Sequence, residues 1–370
     1  KYLWIKIMAY SSIAKPTDYF NIILYTGNGS TNALTGVGFQ PDWVWIKNRN
    51  DTSGGGYGHR WLDAVRGTTK EIYSNNDGAE NTVSTGLTSF DSDGFTLGSS
   101  PGVNNNASGA DSYVAWNWLG ANGTASNTDG STTSTVSANT TTRFSIVKYA
   151  GADAVRTVGH GLGAKPDMII VKRLGSSGRW QVYHSALGAT KYLRLDSNAA
   201  ADTSTARWND TEPTSSVFTL STSAHVNESG DYIAYCFAGK QGYSKFGSYT
   251  GNGNADGTFV YTGFKPAFMM IKRSSNTDNW YIKDNKRSGT AALQNFGQMN
   301  PNQTQHPSAN NSSAENKASA FATDILSNGF KIRGTDAGLN ESGQTYTYMS
   351  FAEKPFVAND SGTAVPVTAR

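Results

Sequence analysis

The chain has 370 residues, a formal net charge of +3 and only 16% charged residues, a balance that demands neither nucleic acid nor an acidic partner. No stretch approaches the ~18 consecutive apolar residues of a membrane-spanning helix, so lipid insertion in that form is excluded on length. A single cysteine, Cys236, excludes an intrachain disulfide and fits assembly in a reducing compartment.

In chain order, residues 1–24 read as an N-terminal arm. Their first seven residues have a basic start but too few apolar residues for the hydrophobic region of a signal peptide. Tyr25-Thr-Gly-Asn-Gly then leads to Thr35-Gly-Val-Gly-Phe-Gln-Pro-Asp-Trp-Val-Trp-Ile-Lys47. The short, β-branched and aromatic run at 43–46, bounded by turn signals, predicts a strand buried on both faces. Residues 61–65 and 71–74 flank the turn Gly67-Thr-Thr-Lys70 and predict a hairpin. Asp93-Gly-Phe95-Thr-Leu follows as another strand, a polar loop closes at Ser108-Gly109, and Tyr113-Val-Ala-Trp-Asn-Trp118 ends the unit.

The same order then returns twice. Tyr149-Ala-Gly-Ala leads to Gly159-His-Gly-Leu-Gly-Ala-Lys-Pro-Asp-Met-Ile-Ile-Val-Lys172, and Tyr249-Thr-Gly-Asn-Gly leads to Tyr261-Thr-Gly-Phe-Lys-Pro-Ala-Phe-Met-Met-Ile-Lys272. Pro41, Pro166 and Pro266 are 125 and 100 positions apart, and Lys47, Lys172 and Lys272 keep the same spacings. Trp61, Trp180 and Trp280, the central Phe95, Phe218 and Phe330, and the terminal Trp118, Phe237 and Phe351 recur in each copy and are read as its core aromatics. In the closing element of copy two, Tyr232, Ala234 and Cys236 share one face, and Ile233, Tyr235 and Phe237 the other. That is the period of a strand. The 40 glycines, among abundant Ser, Thr and Asn, supply the turns of an antiparallel fold. The expected fold class is all-β: three tandem β-sandwich, jelly-roll-like domains of about one hundred residues, each on its own core.

The expected boundaries are 25–119 for repeat one, 143–239 for repeat two and 244–356 for repeat three. The Ser/Thr/Gly-rich stretch 120–142 has almost no apolar residues. It reads either as a linker or as an extended arm laid across a neighbour. The short joint at 239–247 predicts that copies two and three pack as a fixed pair, and residues 357–370 read as a C-terminal arm.

No catalytic constellation emerges from the sequence. His59, His160, His184, His225 and His306 form no His-x-x-x-His pattern and Cys236 no Cys-x-x-Cys, so no zinc site is written. Gly159-His-Gly-Leu-Gly-Ala-Lys165 lacks the Gly-Lys-Ser/Thr ending of a phosphate loop and leads into a strand, so it is read as a turn. Asn75-Asn-Asp-Gly78 and Asp91-Ser-Asp-Gly94 gather oxygens that a hard cation favours, without a full calcium-loop pattern. Tyr57, Trp208 and Trp45 differ between copies and are the candidates for a glycan or partner platform. Cofactors, metals and catalytic residues are expected to be absent.

Four phrases together resemble a repeated domain of predicted virion proteins from marine tailed bacteriophages. They are Thr35-Gly-Val-Gly-Phe-Gln-Pro-Asp-Trp-Val-Trp-Ile-Lys-Asn-Arg49, Gly230-Asp-Tyr-Ile-Ala-Tyr-Cys-Phe-Ala238, Tyr243-Ser-Lys-Phe-Gly-Ser-Tyr-Thr-Gly-Asn-Gly253 and Met349-Ser-Phe-Ala-Glu-Lys-Pro-Phe356. The resemblance covers about residues 20–356 and implies a particle component, either a tail appendage or a capsid-surface protein. It carries no catalytic residues. The expected function is therefore a non-enzymatic virion structural protein, a surface-exposed fibre or decoration. It would assemble with itself, a trimer favoured, and with other virion proteins, and would adhere to a host surface glycan. The alternative is a carbohydrate-binding protein without a virion role. A glycan hydrolase would need two carboxylates at catalytic separation, which sequence cannot place.

Overall fold

The computed structural model describes residues 11–49, 57–106, 111–287, 321–360 and 363–366. Copy one contributes β1 (Phe20–Thr26), β2 (Asn32–Thr35), β3 (Trp43–Asn48), β4 (Arg60–Asp63), β5 (Lys70–Tyr73), β6 (Asn81–Thr82), β7 (Leu87–Asp91), β8 (Gly94–Leu97) and β9 (Ser112–Trp118). Two strands follow, β10 (Ala125–Asn127) and β11 (Ser134–Asn139). Copy two holds β12 (Phe144–Gly151), β13 (Arg156–Gly159), β14 (Met168–Arg173), β15 (Gln181–His184), β16 (Lys191–Arg194), β17 (Asp202–Thr203), β18 (Val217–Leu220) and β19 (Gly230–Phe237). Copy three holds β20 (Ser244–Thr250), β21 (Phe259–Tyr261), β22 (Phe264–Arg273), β23 (Trp280–Asp284), β24 (Thr323–Leu326), β25 (Gly329–Ile332) and β26 (Thr345–Pro355), and β27 (Val357–Asp360) pairs with β28 (Thr363–Pro366) beyond it. The fold is all-β, with antiparallel sheets throughout.

Sheet order repeats with the sequence. Copy one builds a long sheet β1-β9-β3-β4-β5-β6 and a short sheet β2-β8-β7. The long sheet of copy two has the same order, β12-β19-β14-β15-β16-β17, and copy three shows its first four strands, β20-β26-β22-β23. The hairpin expected around Gly67 is β4–β5, with Arg60 opposite Tyr73 and Trp61 opposite Ile72.

Doubly apolar strands arise because each long sheet has two buried faces. In β3, Val44 and Ile46 face a cluster internal to copy one, while Trp43 and Trp45 face a second cluster. In β14, Ile169 and Val171 face the internal cluster of copy two, and Met168 and Ile170 face that same second cluster. Copy three repeats the division with Met269 and Ile271 against Phe268 and Met270. Each copy therefore has an internal cluster, and a fourth core is common to all three. Trp43 stacks on Trp118 at 4.0 Å, Trp61 meets Trp180 at 4.7 Å across copies one and two, and Phe20 stacks on Phe351 at 5.2 Å across copies one and three. Phe237 meets Phe351 at 6.0 Å across copies two and three.

One alignment read from the sequence is corrected by strand register. Trp43, Met168 and Phe268 are equivalent, since each lies opposite the last aromatic of its closing strand, Trp118, Phe237 or Phe351. Their partners on the next strand are Asp63, His184 and Asp284. Counting back from these, Trp61 corresponds to Val182 and Ile282, whereas Trp180 and Trp280 correspond to His59. A two-residue slip keeps every side chain on its face, so alternation alone cannot detect it.

Several threefold contacts tie the copies together. Tyr235 of copy two donates its hydroxyl to Asp63 Oδ2 of copy one at 2.6 Å, and Trp116 of copy one donates Nε1–H to Asp284 Oδ2 of copy three at 3.0 Å. His184 of copy two closes the ring. Its Nδ1 accepts from Ala186 N–H, so Nε2 carries the proton and donates to the Tyr348 carbonyl of copy three at 3.1 Å. Trp180 Nε1 reaches Tyr73 O, and the equivalent Trp280 Nε1 reaches Arg194 O, each in the preceding copy.

Residues 120–142 do not serve only as a linker. Six residues of β11 pair with β12, Ser134 opposite Tyr149 through Asn139 opposite Phe144, and extend the long sheet of copy two. The N-terminal arm ends sooner than expected, because β1 starts at Phe20, and residues 1–10 lie outside the described residues.

Candidate functional site at the seams between copies

The end of each long sheet meets the first strand of the next copy, which produces three equivalent seams. At the seam between copies one and two, Asp42 precedes β3. Its carboxylate accepts from Gly120 N–H at 2.7 Å, Asn122 N–H at 3.2 Å and Ser137 Oγ–H of β11 at 3.1 Å. Burial raises the Asp42 carboxyl above its usual range, and these donors pull it back. β11 fills this seam.

At the seam between copies two and three, Asp167 holds the same position and accepts from Gly239 N–H at 2.7 Å and from Ser185 Oγ–H at 3.0 Å. No strand is inserted here. A shallow cleft of about 400 Å³ remains, lined by Asp167, Lys240, Ser244, Lys245, Phe246 and Tyr261 among others. Lys245 Nζ donates to Tyr261 O at 2.7 Å and stands 5.1 Å over that ring. The carbonyl it reaches is equivalent to that of Gly159, which accepts from Ser134 Oγ–H of β11 in copy two. The lysine amine thus takes the place of an inserted strand's hydroxyl, and burial lowers its pKa.

At the seam between copies three and one, Ala267 replaces the aspartate and Glu353 stands where Gly120 and Gly239 stand elsewhere. Glu353 pairs with Lys265 at 2.9 Å. Losing the carboxylate clasp leaves a cleft of about 550 Å³. Phe20, Ile22, Ala14, Pro16, Ala267 and Pro355 make its apolar wall, and Lys15, Lys286, Lys354, Glu353, Asn21 and Asn285 its polar rim. That volume lies in the range of small-molecule sites. Asn285 Oδ1 is buried there without a hydrogen-bond partner.

A second recurrent device shapes the opposite loops. A buried asparagine ends a short helical turn or follows a tight one: Asn104 in α1 (Pro101–Asn104), Asn227, and Asn340, with α2 (Thr205–Trp208) lying earlier in copy two and Asn340 ending α3 (Ala337–Asn340). Asn227 Nδ2 donates to Ala154 O and Ser221 O, and Asn340 Nδ2 to Asn254 O and Gly334 O. Asn104 Nδ2 donates to Ser30 O and Gly98 O. Alongside, Tyr25–Tyr113, Tyr149–Tyr232 and Tyr249–Tyr346 stack at 5.0, 5.4 and 4.9 Å. The three asparagines lie nine, five and six residues before the equivalent Tyr113, Tyr232 and Tyr346, so no fixed spacing marks them in the sequence.

The proposed platform residues do not assemble. Trp45 and Trp208 are buried and cannot stack on a sugar, which corrects their selection as exposed aromatics. Variation between copies marked them, but a position in a core varies whenever its neighbours vary. Trp45 donates Nε1–H to His59 Nδ1 at 2.9 Å, and Trp208 packs edge-on against Tyr183. Tyr57 is half-buried, and its carbonyl accepts from Lys47 Nζ. The nine recurrent aromatics Trp61, Trp180, Trp280, Phe95, Phe218, Phe330, Trp118, Phe237 and Phe351 are all buried.

Little reactive chemistry is gathered among the described residues. His160 is held near pKa 4 by burial, and burial also lowers His184. His306 lies outside the described residues, as do Ser108 and Gly109. Burial pushes the Cys236 thiol up, which suppresses its thiolate. Asp93, in one of the loops considered for calcium, accepts from Gly36 N–H and Gly38 N–H, and Asp91 accepts from Thr96 Oγ–H. No group of three or more His, Cys, Asp or Glu side chains is arranged to hold a metal among the described residues. No helix among them is long and apolar enough to cross a membrane.

Residues 15–355 match the family described as Domain of unknown function (DUF7483). The chain belongs to this family. No curated protein and no solved structure matches it. The matched span begins beside the apolar cleft at Lys15 and ends at its far lip, Pro355, so the family unit is all three copies together with the seams between them.

Proposed function

We propose that the protein is a bacteriophage virion structural protein, a surface-exposed tail fibre, appendage or capsid-decorating component that acts by assembly and adhesion without catalysis. In this reading the copies are three tandem β-sandwich domains of jelly-roll type. The observation that carries it is the shared aromatic core. Three copies joined through one aromatic core form a single block, whose loops and sheet edges remain for contact with other proteins. A particle surface needs such a block, whereas one catalytic site gains little from triplication.

Self-association is proposed as well; because three copies are already joined around one core inside a single chain, a further self-contact would use the outer edges and need not be threefold. Partners would be other copies, other virion proteins and a host surface glycan, and the site of action would be the virion. Mass spectrometry of gradient-purified particles tests this reading. The protein should band with the particles at a stoichiometry that repeats between preparations. Its absence from particles while abundant in the lysate would overturn the proposal and favour a free carbohydrate-binding protein.

A further inference from the structure

The three first strands are equivalent, yet their outer edges are treated differently. β12 is covered by β11. β20 carries Lys245 and Gly247, and a lysine on an edge strand discourages pairing with another chain. β1 reads Phe-Asn-Ile-Ile-Leu-Tyr-Thr, with no charge, proline or glycine, and among the described residues it pairs only with β9.

Register identifies which groups face outward. Leu119 N–H donates to Tyr19 O and Gly27 N–H to Asp111 O, so the odd-numbered residues of β1 bond inward to β9. Phe20, Ile22, Leu24 and Thr26 therefore turn their backbone groups away from β9; Phe20 and Ile22 are buried, and the edge is exposed at Leu24 and Thr26. Asn21 Oδ1 takes the Ile22 N–H, and Asn32 Nδ2 reaches Thr26 O. Leu24 is left at the centre, 42% exposed, one of few large apolar residues exposed among the described residues. At the equivalent place in copy two, Lys148 lies opposite Thr135 of β11, so a strand fits beside this edge.

We infer that β1 pairs antiparallel with β1 of a second copy across a two-fold axis near Leu24, joining two long sheets into one. An uncharged strand brings no like charges face to face on self-pairing, and the contact is isologous and closes at two chains. This rests on the proposed self-assembly but is tested apart from it, because pairing is read in solution and virion placement on particles.

Light scattering coupled to size exclusion, run on the full chain over a concentration series, is the test. The wild-type chain should approach a dimer, and Leu24→Lys, which installs the residue of the equivalent Lys148, should weaken association about tenfold or more. Hydrogen exchange should show Leu24 N–H protected in the wild type as concentration rises. A wild-type chain that stays monomeric with Leu24 N–H exchanging freely, or a dimer that Leu24→Lys leaves intact, would overturn the inference.

Discussion

Asn227 shows how single side chains set the loops of this protein. It is buried, and its amide spends both N–H groups on carbonyls of two different loops. Asn227→Ala leaves those carbonyls unpaired and should cost on the order of 1–3 kcal/mol in chemical denaturation, with the same direction expected for Asn104→Ala and Asn340→Ala. The buried lysines make a second prediction. Lys172 and Lys272 donate to Asp77 O and Asn198 O of the preceding copy, and burial lowers them to about 8 and about 7. Lys283 is likewise lowered to about 7. All lie below the ordinary 10.5, so between about pH 7 and 10 the unfolded chain binds more protons than the folded one and stability rises with pH. Buried tyrosines such as Tyr235 and Tyr249 are raised, which reverses the slope above about 10. Thermal melts across this range should show the most stable form at alkaline pH, and Lys272→Met should flatten the rise. Neither feature was legible in the sequence, because an asparagine or lysine reads as a surface residue until its partners are known.

Among elements, the Pro-to-Lys strands, the hairpin at Gly67 and the aromatic closing strands were readable, because each carries a periodicity or a turn signal of its own. β11 was not. Ser134-Thr-Val-Ser-Ala-Asn139 has one large apolar residue and the composition of a tether. It is held by backbone pairing and by Ser137, whose Oγ donates to Asp42 and accepts from Ala121 N–H. Ser137→Ala should therefore destabilise the chain by on the order of 1–3 kcal/mol, measured by denaturant titration. No change would mean that the segment behaves as the linker its composition suggests. The misaligned Trp61 has a related cause: a recurring tryptophan was matched by type, whereas register places His59 where copies two and three carry theirs.

Across the whole molecule, the shared core was hidden because an apolar strand face looks the same whether it meets its own second sheet or a neighbouring copy. From the repeats alone, three separately folded units are expected, with copies two and three fixed together. The structure instead joins all three through Trp43, Trp118, Phe237, Phe268 and Phe351. Differential scanning calorimetry of the full chain tests this union most directly. A single transition is expected, with calorimetric and van't Hoff enthalpies equal, because no copy can unfold without exposing aromatic surface on the other two. Three resolved transitions, or a van't Hoff enthalpy near one third of the calorimetric value, would mean that the copies unfold independently and would contradict the account.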